Sequence, residues 1–418
     1  MILGINAYHP DAAAATVTEA GLCTAVEEER FTRIKHWAGF PRAAIVSCVA
    51  ERGVDDIQTV AVSRKPSAYM GQKLALALRN PRSLMRAASR ARNLAAIGSL
   101  ERRLRQALAA EPDVKVVCVE HHLAHLASAF FCSPFEEAAC LSVDGFGDFV
   151  STMLAAGRGG TLTVLDRVHY PHSLGLLYTG ITQYLGFPKY GDEYKVMGLA
   201  AYGEPRFAAE VRELVPASAD GGFELNLSYF RHLSEGVDMA WDDGEPRLGR
   251  VFTKKLEQLL GPARHPNDEI TQRHKDVAAS VQAVYEERFL PLVRTVLRRS
   301  RSRKVVLAGG CAMNSVANGK LFEQTDVEDV FIQAAAGDAG TALGAALYVQ
   351  HAIFGRPREF VMEHAYWGPQ YGDTDIRKAI ADAVVGSDGR DGRWGDVEIQ
   401  TIADEGILVQ DTARAIAR

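Results

Sequence analysis

Short apolar runs separated by polar or glycine-containing turns predict strands at the start of the chain. Residues 2–28 are expected to form a strand, a polar break at His9-Pro10-Asp11, and two further strands joined by a turn at Glu19-Ala20-Gly21. The break has two interpretations. It is either a solvated hairpin loop or a loop that offers its polar side chains to a phosphate or a metal.

The same order of elements recurs from Ala138. The apolar run Ala138–Val143 predicts a buried strand that ends in Asp144-Gly145-Phe146-Gly147-Asp148, and a strand hairpin follows through Val164. The Asp-Gly turn either caps its own backbone, or it holds a cation with Asp144 while Gly145 lets backbone N–H groups approach a phosphate. Two such openings in one chain predict a duplicated lobe with a ligand cleft between the copies.

Later segments combine helical patterns with glycine-rich turns. Residues 171–204 contain Lys195 and Gly198, which fit either phosphate binding or close helix packing. A long helix is predicted from Gln272. The run Lys304–Ala308 predicts a short strand that enters Gly309-Gly310 and a new helix at Asn314, an arrangement that suits a nucleotide phosphate or ribose.

Histidines provide the strongest candidate chemistry. If a helix begins after the apolar run 114–119, His121 and His125 lie one turn apart on one face, whereas His122 points elsewhere. The pair is either a metal site or two hydrogen-bonded core histidines. Asp144 and Asp338 each follow a predicted strand and precede glycines. Two nitrogens and two carboxylates suit Fe(II), Zn or Mn with open positions for substrate, which favours the metal.

Charged segments allow weaker predictions. The run from Glu27 to His36 is either a self-paired surface or a cationic pocket. Residues 72–108 alternate arginines with apolar residues and predict a basic helix pair on the surface, broken near Asn80-Pro81 and Gly98, with contact to an acidic or amphiphilic partner as the alternative. Residues 215–265 predict an irregular insertion.

Composition narrows the class of protein. A chain of 418 residues with 47% hydrophobic residues can form two or three lobes, and a formal net charge of -5 argues against nucleic acid as a partner. No apolar run is long enough to span a membrane. Six cysteines without a Cys-x-x-Cys pair favour reduced thiols and a cytoplasmic location.

Several stretches together resemble the carbamoyltransferases of nodulation-factor and antibiotic biosynthesis. The resemblance runs from Met1 to about Tyr371 and is carried by residues 27–36, 121–128, 143–145, 173–178, 195–203, 308–314 and 337–345. It implies an α/β fold: a duplicated, actin-like (ASKHA) nucleotide-binding domain at residues 1–355, with lobes of about 1–137 and 138–355. This domain is similar to that of the tRNA threonylcarbamoyl transferases. Residues 356–418 are then a linker and the N-terminal fragment of a YrdC-like α/β domain.

The resemblance also implies an activity. Carbamoyl phosphate and ATP form carbamoyl-adenylate, and the carbamoyl group passes to a hydroxyl of a natural-product or sugar acceptor. The alternatives are a tRNA threonylcarbamoyl transferase-like enzyme and a nucleotide-binding scaffold that has lost the adenylate-forming domain. The expected partners include neither nucleic acid nor a membrane, and a homodimer is left open.

The resemblance assigns roles to particular residues. One divalent metal, Fe(II) rather than Zn or Mn, is expected on His121, His125, Asp144 and Asp338. ATP is expected to contact Gly145, Lys195, Gly198, Gly309, Gly310 and Asn314. The residues expected to position the carbamoyl group or deprotonate the acceptor are His9, Asp11, Arg33, Lys35 and His36.

Overall fold

The strands of the protein are seen in a computed structural model, which describes the chain except residues 51, 80–99, 109–113, 219–220, 236–238, 241–243, 386–401 and 418. Within the described ranges the strands are β1 (Ile2–Asn6), β2 (Ala13–Thr18), β3 (Gly21–Glu27), β4 (Thr59–Val62), β5 (Lys115–Cys118), β6 (Glu137–Gly147), β7 (Val150–Arg158), β8 (Thr161–His169), β9 (Met239–Ala240), β10 (Arg247–Leu248), β11 (Lys304–Ala308) and β12 (Asp329–Ile332).

The α-helices connect and cover these strands. In the same ranges they are α1 (Glu29–Thr32), α2 (Arg42–Val49), α3 (Met70–Arg79), α4 (Leu100–Leu108), α5 (His121–Phe130), α6 (Leu174–Tyr184), α7 (Glu193–Ala200), α8 (Ala208–Leu214), α9 (Lys254–Leu260), α10 (Gln272–Ser300), α11 (Ser315–Asn318), α12 (Leu321–Gln324), α13 (Gly340–Tyr348), α14 (Asp373–Val385) and α15 (Glu405–Ile416).

The strands form two five-stranded sheets of identical topology. The first has the order β3-β2-β1-β4-β5 and the second the order β8-β7-β6-β11-β12. In each sheet the first three strands are joined by hairpins and run antiparallel. A fourth strand pairs in parallel with the first of these three, and a fifth pairs in parallel with the fourth. The predicted duplication is therefore confirmed.

One difference concerns the strand after Ala138. It does not end at Val143 but continues to Gly147, with a shift of register between these two residues, and its hairpin extends to His169. The shift lets the strand bend while it keeps its pairing with β7. The polar residues that looked like a turn thus lie on the end of a strand.

Two helices fill the space between the sheets. α5 packs on the second sheet, α13 packs on the first, and the two helices contact each other. Their small residues form one buried cluster with side chains from both sheets, including Ala15, Ala127, Val306 and Ala346. Helices α2 and α4 cover the outer face of the first sheet, and α6 and α10 cover that of the second. The ends of α5 and α13 consequently have fixed positions relative to both sheets.

Backbone contact between α5 and α13 requires a glycine. A Cβ on Gly344 would lie 1.8 Å from the carbonyl oxygen of Ala124. We expect Gly344→Ala to lower the free energy of unfolding by about 3 kcal/mol, because the two helices must separate to admit the methyl group. The measurement is the urea midpoint of unfolding.

The control for this substitution is Gly198→Ala in α7. A Cβ at Gly198 meets no atom within 4 Å, so the added methyl group is expected to leave the midpoint unchanged or to raise it slightly. Equal midpoints for the two variants would contradict the close packing at Gly344.

Predictions about the remaining segments have mixed outcomes. Helices α3 and α4 confirm helical structure at both ends of the basic segment 72–108, whose centre lies outside the described residues. The chain forms two compact units, Met1–Gly368 and Pro369–Arg418. The domain border at residue 355 and the YrdC-like character of the second unit stay predictions. None of the described helices is both long and apolar enough to cross a bilayer.

Candidate metal centre and cleft

Four side chains from three elements converge on one point. His121 and His125 project from the first turns of α5, Asp144 lies on β6, and Asp338 precedes α13. The two Nε2 atoms are 3.0 Å apart, and each is 3.4 Å from Oδ1 of Asp338. Oδ2 of Asp144 lies 3.4 Å from His121 and 3.6 Å from His125. One ligand atom from each residue falls within 4.8 Å of the others, so the helix prediction and the grouping of these residues agree with the geometry.

The electrostatics of this cluster favour a positive charge. Burial alone lowers the pKa of His121, but the carboxylates of Asp144 and Asp338 outweigh it and raise that pKa well above its usual value. Burial likewise raises the pKa of Asp338, yet the neighbouring His9, His121 and His125 hold it well below the usual range. Burial and the charge of Asp338 raise the pKa of Asp144, but hydrogen bonds from His121 and His125 outweigh them and hold it below the usual range. The surroundings of both carboxyl groups thus favour the ionised form.

The residues fit a divalent metal. Oδ1 of Asp338 is buried and has no hydrogen-bond partner among the described residues, although it lies near both imidazoles. A buried carboxylate oxygen without a partner is costly, and a cation between the four side chains would satisfy it. Two imidazoles and two carboxylates are ligands suited to Fe(II), Zn or Mn.

Backbone donors hold two of the ligand-bearing segments in place. Asp148 accepts hydrogen bonds from the N–H of His121 at 3.0 Å and of Lys65 at 2.7 Å, and Glu120 caps α5 by accepting from Leu123 at 2.9 Å. Burial, the largest cause, raises the pKa of Glu120 to about 7. The helix that carries both histidines is thus fixed at its first turn.

The third histidine of the helix has a structural role. His122 is completely buried and points to the second sheet, where its ring nitrogens lie 2.5 Å from the hydroxyl of Ser142 and 3.0 Å from the carbonyl oxygen of Val150. Burial and the two neighbouring histidines hold its pKa well below the usual value. The prediction that His122 points away from the pair is confirmed.

Glycines bring the elements of the site together. A Cβ on Gly147 would lie 1.9 Å from the His121 ring, and a Cβ on Gly309 would lie 2.3 Å from the carbonyl oxygen of Val143. The N–H of Gly310 donates to Oδ1 of Asp144 at 2.9 Å. In the structure, therefore, the Gly309-Gly310 turn orients one carboxylate of the metal centre.

The metal centre lies in the wall of a cleft of 1380 Å³. Among the described residues, its walls include residues near the ends of strands of both sheets and residues at the starts of helices that pack on the sheets. The predicted site residues that line it are His9, Asp11, Lys35, His36, Asp144, Gly145, Lys195, Gly310, Asn314 and Asp338. A cleft between two copies of one topology is what the duplicated pattern predicted.

A second polar group lies in the same cleft. His36 Nδ1 is 2.7 Å from Asp11 Oδ1, and the His36 backbone N–H donates to Glu29 at 2.8 Å. Lys35 donates to the other oxygen of Glu29 at 2.8 Å. The hydrogen bond to Asp11 is the main reason that the pKa of His36 is raised, against the opposing effect of burial. The interpretation of residues 27–36 as a self-paired surface is thus partly right, since Lys35 is paired.

Other predicted residues have less direct positions. His9 contacts Asp338 through Nδ1, whereas Arg33 is exposed and does not belong to the cleft wall. Lys195 pairs with Asp192 at 2.6 Å. Asn314 exchanges two hydrogen bonds with Gln282, at 2.9 and 3.0 Å, and also caps α11. The roles predicted for these residues toward substrate or nucleotide stay predictions.

Two residues of the cleft were missed by sequence reasoning. Arg64 donates to the carbonyl oxygen of Tyr8 at 3.0 Å and faces Asp148 and Asp338, which counter the lowering of its pKa by burial. It lies two residues after the end of β4, a position near a strand end like the one predicted for Asp144, and this context was the available signal. Tyr190, whose ring centre lies 5.4 Å from that of His36, follows no comparable pattern.

The Asp11–His36 pair leads to a prediction about pH. In Asp11→Asn the carboxylate that stabilises the charged imidazole is lost, so the pKa of His36 is expected to fall from above 6.5 toward or below that value. The measurement is an NMR titration of the imidazole C–H signals, with the His36 signal assigned from His36→Gln. Asp326→Asn, at an exposed carboxylate, is the control, and an unchanged His36 titration in Asp11→Asn would contradict the pairing.

Comparison with known proteins agrees with the chemistry of the site. The family described as "Carbamoyltransferase N-terminus" matches residues 1–347. An uncharacterized protein (sll1178) of Synechocystis is 40% identical over 92% of this chain and 63% of its own length. The nodulation protein NolNO of Sinorhizobium fredii is 35% identical over 88% of this chain and 50% of its own length.

A solved structure, that of HypF from T. kodakarensis, is similar with a TM-score of 0.41 and 13% identity, over 85% of this chain and 48% of that one. The chain spans half to 63% of the length of the two curated relatives. The family match extends from β1 into the last turn of α13 and includes all four residues of the candidate metal centre. The chain therefore belongs to the carbamoyltransferase family, within the part described as its N-terminus.

Proposed function

We propose that this chain carries out the transfer step of an ATP-dependent O-carbamoyltransferase. The observation that carries the proposal is one cleft that contains both the His121, His125, Asp144 and Asp338 cluster and the Asp11–His36 pair, in a chain of the carbamoyltransferase family. Carbamoyl-adenylate, made from carbamoyl phosphate and ATP, is the proposed donor. The acceptor is a hydroxyl of a sugar or another small natural product.

The four converging side chains are the proposed ligands of the metal, with Fe(II) favoured over Zn or Mn. Support comes from the two imidazole nitrogens, the two ionised carboxylates and the orphaned oxygen of Asp338. When bound there, the metal would supply Lewis-acid polarisation of the carbamoyl carbonyl. His9 contacts Asp338 through Nδ1 and thereby helps to fix the direction of that carboxylate.

His36 is the proposed base. Asp11 accepts a hydrogen bond from Nδ1, which leaves the lone pair on Nε2. A Cβ on the neighbouring Gly191 would lie 2.2 Å from Nε2, so a larger residue at that position would cover this atom. The acceptor hydroxyl gives its proton to Nε2 as its oxygen bonds to the carbamoyl carbon. The bond from that carbon to the adenylate phosphate oxygen then breaks, and AMP leaves.

The nucleotide is proposed to lie in the same cleft. Lys195 and the N-terminal turn of α7 line it, and Gly145 has open space at its Cβ position, so a phosphate can approach its backbone. Asn314 and Gly310 also line the cleft, but their polar atoms already bind Gln282 and Asp144. Their contribution is therefore to shape the wall.

The test supplies Fe(II)-reconstituted protein with carbamoyl-adenylate under anaerobic conditions and follows AMP release by chromatography. We expect release to accelerate when a hydroxyl acceptor is added, and the acceptor to gain the mass of one carbamoyl group. His36→Gln is expected to lose the acceleration, whereas His265→Gln, at an exposed histidine, keeps it. Acceptor-independent release, or equal rates for both variants, would overturn the proposal.

A further inference from the structure

A second cavity, here called the aromatic cavity, lies beside the cleft. Its volume is 760 Å³, within the range of small-molecule sites. Three aromatic side chains, those of Tyr8, Trp37 and Phe40, line it together with Arg42 and Arg103. The metal centre, the Asp11–His36 pair and the nucleotide residues do not line it, so the proposed transfer step leaves this cavity without a role.

The cavity adjoins the cleft and shares wall residues with it. Tyr8 and Arg103 line both spaces, and the guanidinium of Arg103 lies 5.7 Å from the centre of the Tyr8 ring. Trp37 of the cavity directly follows His36 of the cleft. A molecule seated in the aromatic cavity therefore lies next to the cleft that contains the proposed base.

The indole of Trp37 is tightly packed in the wall of the cavity. Gly39 and Gly244 press against the indole of Trp37: a Cβ on them would lie 3.0 Å and 2.0 Å from its ring atoms, respectively. The indole N–H is buried and donates to no acceptor among the described residues. A buried donor without an acceptor is unfavourable, and a hydroxyl or ring oxygen of a ligand would satisfy it.

The positive charge of Arg42 and Arg103 indicates the kind of ligand that the cavity binds. Arg42 and Arg103 form no ion pair within the part of the chain that the structure describes, and no acidic side chain occurs among the described residues of the wall. Arginine binds carboxylate, phosphate or sulfate groups through paired N–H donors. Two arginines without a carboxylate partner, beside three aromatic rings, thus fit a molecule that combines a flat ring with an anionic group.

We propose that the aromatic cavity is the acceptor subsite and that it selects hydroxyl acceptors bearing an anionic group on a ring or sugar. That the bound molecule is the acceptor rests on the proposed carbamoyl transfer. That the cavity prefers an anionic ring compound rests on the residues of the cavity alone. Arg42 and Arg103 hold the anion, Trp37 and Phe40 cover the ring, and the hydroxyl to be modified faces His36.

The experiment compares two probes that differ only at one sugar carbon: 4-nitrophenyl β-D-glucuronide, with a carboxylate, and 4-nitrophenyl β-D-glucoside, with a hydroxymethyl group. Isothermal titration calorimetry of the protein measures both. We expect the glucuronide to bind about tenfold more tightly, as for a charge-assisted hydrogen bond. Arg42→Gln and Arg103→Gln are each expected to remove most of that preference and to leave glucoside binding unchanged.

Arg105→Gln is the matched control, because Arg105 lies on α4 like Arg103 but does not line the cavity. Trp37→Phe keeps an aromatic ring, loses the N–H donor, and is expected to weaken both probes equally. Equal affinities of the two probes, or loss of the preference in Arg105→Gln, would overturn the inference. Acceptor-dependent AMP release by the same preparations tests the proposed function separately, so failure of one is distinguishable from failure of the other.

Discussion

His125→Ala is expected to empty the metal centre while the protein stays folded. The imidazole offers one of the four proposed ligand atoms, and its Nε2 lies 3.4 Å from Asp338 Oδ1 and 3.6 Å from Asp144 Oδ2. Loss of a direct ligand should weaken metal binding by more than about 100-fold, the upper end of the cost of losing an outer-shell partner. Elemental analysis after anaerobic loading with Fe(II) and desalting measures the stoichiometry.

The matched control is the neighbouring buried histidine of the same helix. His122→Gln removes an imidazole that binds Ser142 and Val150, and it is expected to lower the melting temperature without changing the metal content. Circular dichroism confirms that both variants are folded. Full metal occupancy in His125→Ala, or loss of metal in both variants, would refute the assigned centre.

Asp338→Asn is expected to reduce carbamoyl transfer far more than ATP binding. The amide keeps the shape of the carboxylate but removes the negative charge that faces His9, His121 and His125. Loss of one preorganised charge at a reacting centre typically costs about 100-fold to 1000-fold in kcat. Among the described residues Lys195 pairs with Asp192 and not with Asp338, so the Kd for ATP should change less than about threefold, a value typical of sites that share no partner. AMP release and calorimetry measure the two quantities.

A second buried carboxylate provides the comparison. Asp276 is 4% exposed, accepts the N–H of Glu204 at 3.0 Å, and does not belong to the cleft wall. Asp276→Asn is expected to lower stability and to leave the transfer rate of the folded fraction unchanged. If Asp338→Asn transferred the carbamoyl group as fast as this control, the role proposed for Asp338 would be lost.

Much of the fold could be predicted because its strands carry local signals. The run Ala138–Val143 and the residues after Lys304 in Lys304–Ala308 are buried and mostly apolar, and both runs form strands, the second with the predicted bounds. The repetition of a strand hairpin with an aspartate-containing break was sufficient to predict two like sheets. The extension of the strand to Gly147 was not predictable, since it depends on pairing with β7, a contact distant from the polar residues themselves.

The site was predictable where its residues share a context. The helical spacing of His121 and His125, and the strand-turn position of Asp144 and Asp338, are sufficient to group the four ligands from the amino-acid sequence alone. Contacts between distant segments were not predictable in this way. The Asp11–His36 hydrogen bond joins two loops, and only tertiary packing determines that Tyr190 lies beside them.

Residues of the aromatic cavity were missed for the same reason. Trp37, Phe40 and Arg103 occupy separate segments, and each is ordinary as a single residue. The basic character of residues 72–108 was visible in the sequence, but which arginine faces inward depends on the rotation of α4. Leu100 and Leu104 set that rotation, because both pack into the core beneath the first sheet.

The hydrogen bonds that steady the metal centre come from the main chain. Asp144 is held by the N–H of Gly310, and the helix of His121 is held through its own N–H by Asp148. Substitution by alanine removes a carboxylate acceptor but keeps the backbone N–H of a donor residue. An alanine scan therefore shows the effect of losing the acceptors and cannot show the effect of losing the donors. Proline is the only standard residue that lacks the donor. The side chains at the donor positions are limited for other reasons: a Cβ on Gly310 would lie 2.9 Å from Oδ1 of Asp144, and His121 is itself a proposed metal ligand.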